Sequence, residues 1–347
     1  MTLNANEQYL LELLNRARLD PAGEAARYGI GLNDGLSPGT LTAAPMQVLA
    51  PDTQLELAAE GHSNWMLANN VFSHTGAGGS NPGARMSGAG YTFTGSWSWG
   101  ENIAWSGTTG SLNLGAAIDA HHRGLFLSSG HRTNILNDFF SEVGLAQIAG
   151  SFTTNGTTYN ASMLTQNFAR SGAEVFVTGV AYSDSDNDDF YSIGEGQSNI
   201  RFSIAGSSAN TSAAGGYSVS TTSATNTQVT VTHGGSTSVV EVDLSSGNVK
   251  LDLVGGSLFQ TSGNLTLVSG IRDAELLGIG NQSLSGNAQN NMLTGNSGNN
   301  TISGGNGNDI VFDRAGNDNV DLGSGNDTVL VGNGADTLAG GAGIDNI

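Results

Sequence analysis

The sequence predicts a multidomain chain, with a mixed α+β domain first, then a small all-β sandwich, then a parallel β-roll. Three observations carry this. All four Trp and five of the six His fall in residues 1–172, together with the clear helical periodicities. From Glu174 to Val254 the chain turns to short Val-, Thr- and Ser-rich runs separated by Gly- and Ser-rich turns. Further on, Asp309, Asp318, Asp327, Asp336 and Asp345 recur at every ninth residue without a slip. The expected boundaries are 1–172, 173–258, a stretch of transition strands over 259–285, and 286–347.

In the first domain Tyr9, Leu10, Leu13, Leu14 and Ala17 fall at helical spacing. The same stretch, MTLNANEQYLLELLNRARLD, lacks the basic region, apolar core and small-residue cleavage site of a secretory signal. Asp20-Pro21 reads as an N-cap followed by proline at the first helical position. Asp52 opens a second helix running to about Asn70, with Leu55, Ala58, Ala59, His62, Trp65 and Met66 on one side. His62 is therefore expected to face the core. A third helical pattern, Gly115 to Ser128, precedes SSGHRTNIL; its His121 and His122 are expected to be exposed. Val143–Ile148 and Ser162–Arg170 read as strands.

Five strands are expected in the sandwich: Val175–Ala181, Asn199–Ile204, Gly216–Thr221, Gln228–Thr232 and Ser238–Leu244. One or two more are expected over 255–285. Between the first two lies an acidic loop with oxygen donors at positions 1, 3, 5, 9 and 12: Asp184, Asp186, Asp188, Ser192 and Glu195. Position 7 offers the carbonyl of Phe190. This is EF-hand spacing, except that Asp189 stands where glycine is expected and the flanks are strands. A calcium loop is the expectation.

In the last zone a glycine precedes each aspartate by two residues (Gly307, Gly316, Gly325, Gly334, Gly343) and an aliphatic follows by two (Val311, Val320, Val329, Leu338, Ile347). Gly305 and Gly341 add a second glycine to the first and last of these turns. Earlier turns keep the frame with Asn291 and Asn300. Nine residues make half a coil: a short strand with an inward aliphatic, then a turn whose glycines take positive φ. Equivalent aspartates then stack at strand spacing, about 4.8 Å. Two bare charges that close repel by about 0.9 kcal/mol in water and about 3.5 at an effective dielectric of 20. Calcium between the rungs removes that repulsion.

Composition agrees. The 347 residues carry a net charge of −19 and no cysteine. Residues 1–173 hold 12 acids against 7 Lys/Arg, net −5, whereas 174–347 hold 18 against 4, net −14. So acidic a chain has no basic face for nucleic acid, and no apolar run is long enough to span a membrane.

The nonapeptides resemble the RTX family, pattern G-G-x-G-x-D-x-U-x, with GGNGNDIVF at 304–312 and GGAGIDNI at 340–347 as the best copies. DRAGNDNVD, LGSGNDTVL and VGNGADTLA between them lose the first glycine, and one of the three loses the second. That resemblance implies calcium-dependent folding outside the cell and a type I export machinery as partner, which would need no N-terminal signal. It places the export signal elsewhere or past Ile347, where the sequence stops inside a repeat. A module binding calcium near 0.1 mM gains roughly 1.4 kcal/mol per site at 1 mM.

Two imidazoles and a carboxylate in the first domain, His74 in FSHTG, Glu101 in GENIA and His131 in SGHRTNIL, could meet from three separate loops and hold a zinc-like ion with an open water position. These motifs, with NRAR at 15–18, Gly90-Tyr91, Val143-Gly144 and TQNF at 165–168, resemble the CAP superfamily in a cysteine-free form. The resemblance implies an α-β-α sandwich, and a cleft of two His and two acids in which His74, Glu101 and His131 fill three places. It also implies small apolar or lipid ligands in some members. The fourth, a glutamate on the helix before the second histidine, has no clear match; Asp119, His121 and His122 are what that helix offers, and Leu125 stands where related sequences often carry Trp. Three functions stay open: a secreted protein whose cleft binds a small ligand or divalent metal, a metal-assisted hydrolase or peptidase, and a calcium-dependent surface adhesion protein. No convincing nucleophile is present; Ser73 and Ser128 lie in no recognised elbow.

Overall fold

The computed structural model describes residues 3–347, which divide into two compact units between Ala173 and Glu174. In the first, helix α1 (Ala5–Leu19) starts in a capping box between Asn4 and Glu7. Helix α2 (Pro21–Arg27) is capped by Asp20 with Pro21 at its first position. Helix α3 (Thr53–Asn69) is capped by Asp52 and ends on Asn70, whose φ of 50° is left-handed. Helices α4 (Pro82–Gly88), α5 (Leu114–Leu127) and α6 (Ser129–Ile135) follow.

The sheet of this unit has the order β1 (Ala50–Pro51), β3 (Glu142–Thr154), β4 (Thr157–Arg170), β2 (Ser98–Thr108). Strand β4 is buried without a break from Ala161 to Ala169, because each of its faces has a cover. On one face Thr165 meets Ser63 of α3 at 2.9 Å, and Asn167 donates to the Leu55 carbonyl. On the other, Ser162 meets His121 of α5 at 3.0 Å. Helices on both faces make the α-β-α sandwich. Gly144 of β3 is a glycine of necessity, since an added Cβ would lie 2.0 Å from the Leu55 carbonyl carbon.

The NRAR motif acts as a structural clamp. Asn15 bonds both the N–H and the carbonyl of Leu49. Arg18, fully buried, donates to the carbonyls of Gln47, Ile135, Asn137 and Phe140. Its pKa is pushed down to about 9 by burial.

Two expectations are corrected here. His121 and His122 are buried, at 3% and 0% exposure, because α5 is enclosed by α1, α6 and the sheet. His122 Nε2 lies 2.8 Å from Glu24, and burial of Glu24 is outweighed by His122 and Arg16, which hold its carboxyl at about 2. Strand β2 has no counterpart in the sequence reading. Gly100 and Gly107 interrupt its pattern, and it forms the sheet edge, half exposed toward its end.

The second unit begins with strands β5 (Val175–Tyr182), β6 (Arg201–Ile204), β7 (Ser207–Asn210), β8 (Gly216–Thr221), β9 (Asn226–His233), β10 (Ser236–Asp243) and β11 (Val249–Val254). Over 255–285 there are four strands rather than one or two: β12 (Leu258–Thr261), β13 (Leu265–Ser269), β14 (Asp273–Leu276) and β15 (Ser283–Ser285). Each is too short to show a period by itself. Strands β16 (Met292–Thr294), β17 (Thr301–Ser303), β18 (Ile310–Phe312), β19 (Asn319–Asp321), β20 (Thr328–Leu330) and β21 (Thr337–Ala339) complete the roll.

Two sheets hold these strands, in the orders β21-β19-β17-β15-β13-β10-β9-β6-β7 and β20-β18-β16-β14-β12-β11-β5-β8. Pairing in the roll advances by 18 residues, as in Leu293↔Val311↔Val329 and Ile302↔Val320↔Leu338, so each repeat is half a coil. One apolar core runs from Val177 to Val329. The sandwich sheets thus continue into the roll and cover its first coil, a place otherwise needing a capping repeat.

Candidate metal sites and the cleft of the first unit

The aspartates of the roll form two ladders, one at each edge. At the first edge Asp309 Oδ1 accepts from the N–H of Asn291, Asp327 Oδ1 from Asp309, and Asp345 Oδ1 from Asp327. At the second, Asp318 Oδ1 accepts from Asn300 and Asp336 Oδ1 from Asp318. The other oxygens of Asp309 and Asp327 are buried and have no partner. Burial pushes the Asp309 and Asp318 carboxyls above the usual range, and the neighbouring aspartates add to it. A buried, unpartnered carboxylate oxygen is costly, and a hard cation that takes oxygen ligands removes that cost. The donor set therefore fits calcium. Asn291 and Asn300 sit as neutral first rungs, their amides donating to the carbonyls of Arg272 and Gly280.

Gly305, Gly307, Gly316, Gly325, Gly341 and Gly343 have the positive φ expected of them; Gly334 does not. It is required for space instead, since a Cβ there would lie 1.6 Å from the Gly316 carbonyl oxygen. A further column escaped the sequence reading. Asn290, Asn299, Asn308, Asn317 and Asn326, each just before the aspartate position, accept from the N–H 18 residues on. The signal was present, as asparagine at a fixed offset in successive repeats.

In the loop after β5, oxygens of Asp184, Asp186 and Asp188 lie within 4.8 Å of one another. Glu195 ties the loop's ends together: Oε1 accepts from the Ser185 N–H and hydroxyl at 2.7 Å, and Oε2 from the Ser192 N–H at 2.8 Å. Ser192 donates to Asp186 at 3.2 Å. Asp189 itself adopts φ 58°, the conformation for which glycine is expected at that place.

The candidate residues expected to line a cleft in the first unit lie about the edge strand β2. Glu101 and His131 are on strand β2 and helix α6 respectively rather than in loops, Glu101 by pairing with β4, and Asn134 of α6 ties the two elements by donating to the Glu101 carbonyl and the Asn102 side chain. His74 Nδ1 lies 2.8 Å from Glu101 Oε1. Arg85 of α4 pairs with the other Glu101 oxygen and donates to the His74 and Ser80 carbonyls. Both oxygens of the buried Glu101 are therefore taken. His131 Nδ1 meets the Ser128 hydroxyl at 2.8 Å, and burial pushes its pKa down. Among the described residues, His74, Glu101 and His131 are not a set of three donors within 4.8 Å. Asp119 is turned away, accepting from the Tyr9 hydroxyl at 3.0 Å. Arg85, the cation of this cluster, is a residue the sequence reading missed; nothing in RMSG at 85–88 signals it.

The family model of the cysteine-rich secretory protein family (CAP) matches residues 11–168, and that of the RTX calcium-binding nonapeptide repeat matches 278–311 and 312–347. Among solved structures, an extracellular protein containing an SCP domain from Bacillus anthracis str. Ames is similar at 30% identity over 36% of this chain and 34% of that one, TM-score 0.26. This chain thus spans about a third of that relative's length. An outer surface protein of Borrelia burgdorferi is 18% identical over 37% of this chain and 80% of that one, TM-score 0.27. NaASP2 with Zn2+ is 19% identical over 48% and 80%, TM-score 0.32. No curated protein matches significantly. The chain joins a domain of the CAP family to RTX calcium-binding repeats.

Proposed function

We propose that this is an extracellular calcium-binding protein whose second unit completes its fold on calcium after export, and whose CAP domain presents a cleft for a small ligand. The observation that carries the reading is the pair of buried, unpartnered oxygens of Asp309 and Asp327 in a ladder of aspartates. Such a ladder is strained at cytosolic calcium and satisfied outside. Asp184, Asp186, Asp188, Ser192 and Glu195 supply a further site in the loop after β5. The test is elemental analysis of the purified chain before and after chelation, read beside its far-UV circular dichroism. Several calciums per chain, with β signal lost on their removal, are expected; an unchanged spectrum and no bound calcium at 1 mM would end the reading.

In the cleft, an ion such as zinc would be held by imidazole nitrogens, His74 and His131, with Glu101 orienting His74 from behind. Zinc present in the native chain and absent after His74→Ala with His131→Ala supports that arrangement. Retained zinc in the double variant excludes it. The hydrolase alternative finds little support in the Ser128–His131 contact, a local side-chain pair three residues apart in the first turn of α6. Adhesion through the acidic second unit remains the reading to adopt if the cleft takes neither metal nor ligand.

A further inference from the structure

In the repeat frame, position one stands next to the aspartate oxygen of its own repeat. An added Cβ at Gly304 would lie 2.5 Å from Asp309 Oδ2, and one at Gly340 would lie 2.5 Å from Asp345 Oδ2. At one repeat of this chain that place is filled by Asp313. Its side chain is fully buried. Oδ1 accepts from the N–H of Gly332 at 2.6 Å, and Oδ2 has no partner. Oxygens of Asp313, Asp318 and Asp336 lie within 4.8 Å of one another. The adjacent cation does not neutralise them: the Arg314 guanidinium lies 3.7 Å from Glu275, and Arg314 takes a left-handed φ of 73°.

We propose that the Asp313 side chain is a direct calcium ligand, together with Asp318 and Asp336, and that this three-carboxylate site is the tightest of the roll. The repeat pattern supplies one carboxylate per half-coil, so each regular rung has two near neighbours along an edge. Here a third joins from the position that the pattern reserves for glycine. Three carboxylates around one point repel each other until a divalent cation arrives, and affinity for calcium rises with the number of charged ligands. Burial at 0% exposure means that water cannot satisfy the Asp313 oxygen in the cation's place.

This inference rests on the calcium reading of the roll, and its test separates the two. The full chain is titrated with calcium by isothermal calorimetry, as wild type, Asp313→Asn and Asp313→Gly. Asparagine keeps the acceptor for the Gly332 N–H and removes only the charge; glycine restores the repeat pattern and so keeps the turn. In both variants the tightest binding step is expected to weaken roughly tenfold or more, with the other steps retained. Isotherms that superimpose on the wild type would overturn the site and leave the calcium reading standing. A wild type that takes up no calcium would overturn both.

Discussion

In the first unit the buried Arg18 has four carbonyl partners, and the buried Glu24 has both Arg16 and His122. In the second unit the buried Asp309, Asp313 and Asp327 each keep an oxygen with no partner. Both units bury charge: the first surrounds Arg18 and Glu24 with partners, whereas the second pairs Lys250 with Asp252 yet leaves oxygens of its roll aspartates open. Among the described residues of the first unit one carboxylate oxygen, Glu56 Oε2, is likewise buried without a partner, but it stands alone rather than in a ladder. The second is a protein with places for cations left in it, and its net charge of −14 is the sequence-level trace of that design.

The sharpest break of this comparison is chelation. Removing calcium from the intact chain should abolish the cooperative melting of residues 174–347 and leave that of the first unit in place, as seen by two-domain calorimetry. Simultaneous loss of both transitions would mean that the units fold as one.

Next in size is Arg18→Ala. It leaves buried carbonyls at Ile135 and Phe140 without donors, and should cost the first unit on the order of 3–5 kcal/mol in chemical denaturation, with no change in calcium affinity. A loss below about 1 kcal/mol would show that water replaces the clamp.

A third test uses pH. Burial lowers the His121 pKa from its usual 6.5 to about 4. The fold therefore holds the neutral ring, and its contribution is complete above pH 6.5 and is lost as pH falls from 6.5 to about 4. The loss should be on the order of 3 kcal/mol. His121→Gln should flatten that slope in the first unit. An unchanged slope would assign the acid sensitivity to another group.

The smallest expected effect is that of Asp327→Ala, which removes one rung and should raise the calcium midpoint for folding of the second unit several-fold, about 1 kcal/mol. Melting of the first unit is the internal control and should not move.

Much of this was legible in order of residues. The nine-residue column fixes an 18-residue coil because the inward aliphatic and the turn alternate at that spacing, whatever the neighbours do. The caps Asp20 and Asp52 mark helix starts because their chemistry is local. Strand β2 and the four strands over 255–285 were not legible in full. Except for β12, which forms a hairpin with β11, their partners lie well away in sequence, and short segments take strand form only when a neighbouring edge pairs with them. His121 and His122 read as polar residues on a helix, and only the packing of α5 against α1 and the sheet buries them.

By itself, then, the sequence determined the repeat, its register, the side of each half-coil that faces the core, and the acidic character that calls for a cation. Each depends on spacing along one chain. The tertiary structure decided which oxygens are left without partners, that Arg85 takes up the second oxygen of Glu101, and that Asp313 joins Asp318 and Asp336. Those outcomes depend on which atoms arrive within a few ångströms from remote parts of the chain, and spacing in sequence carries no record of that.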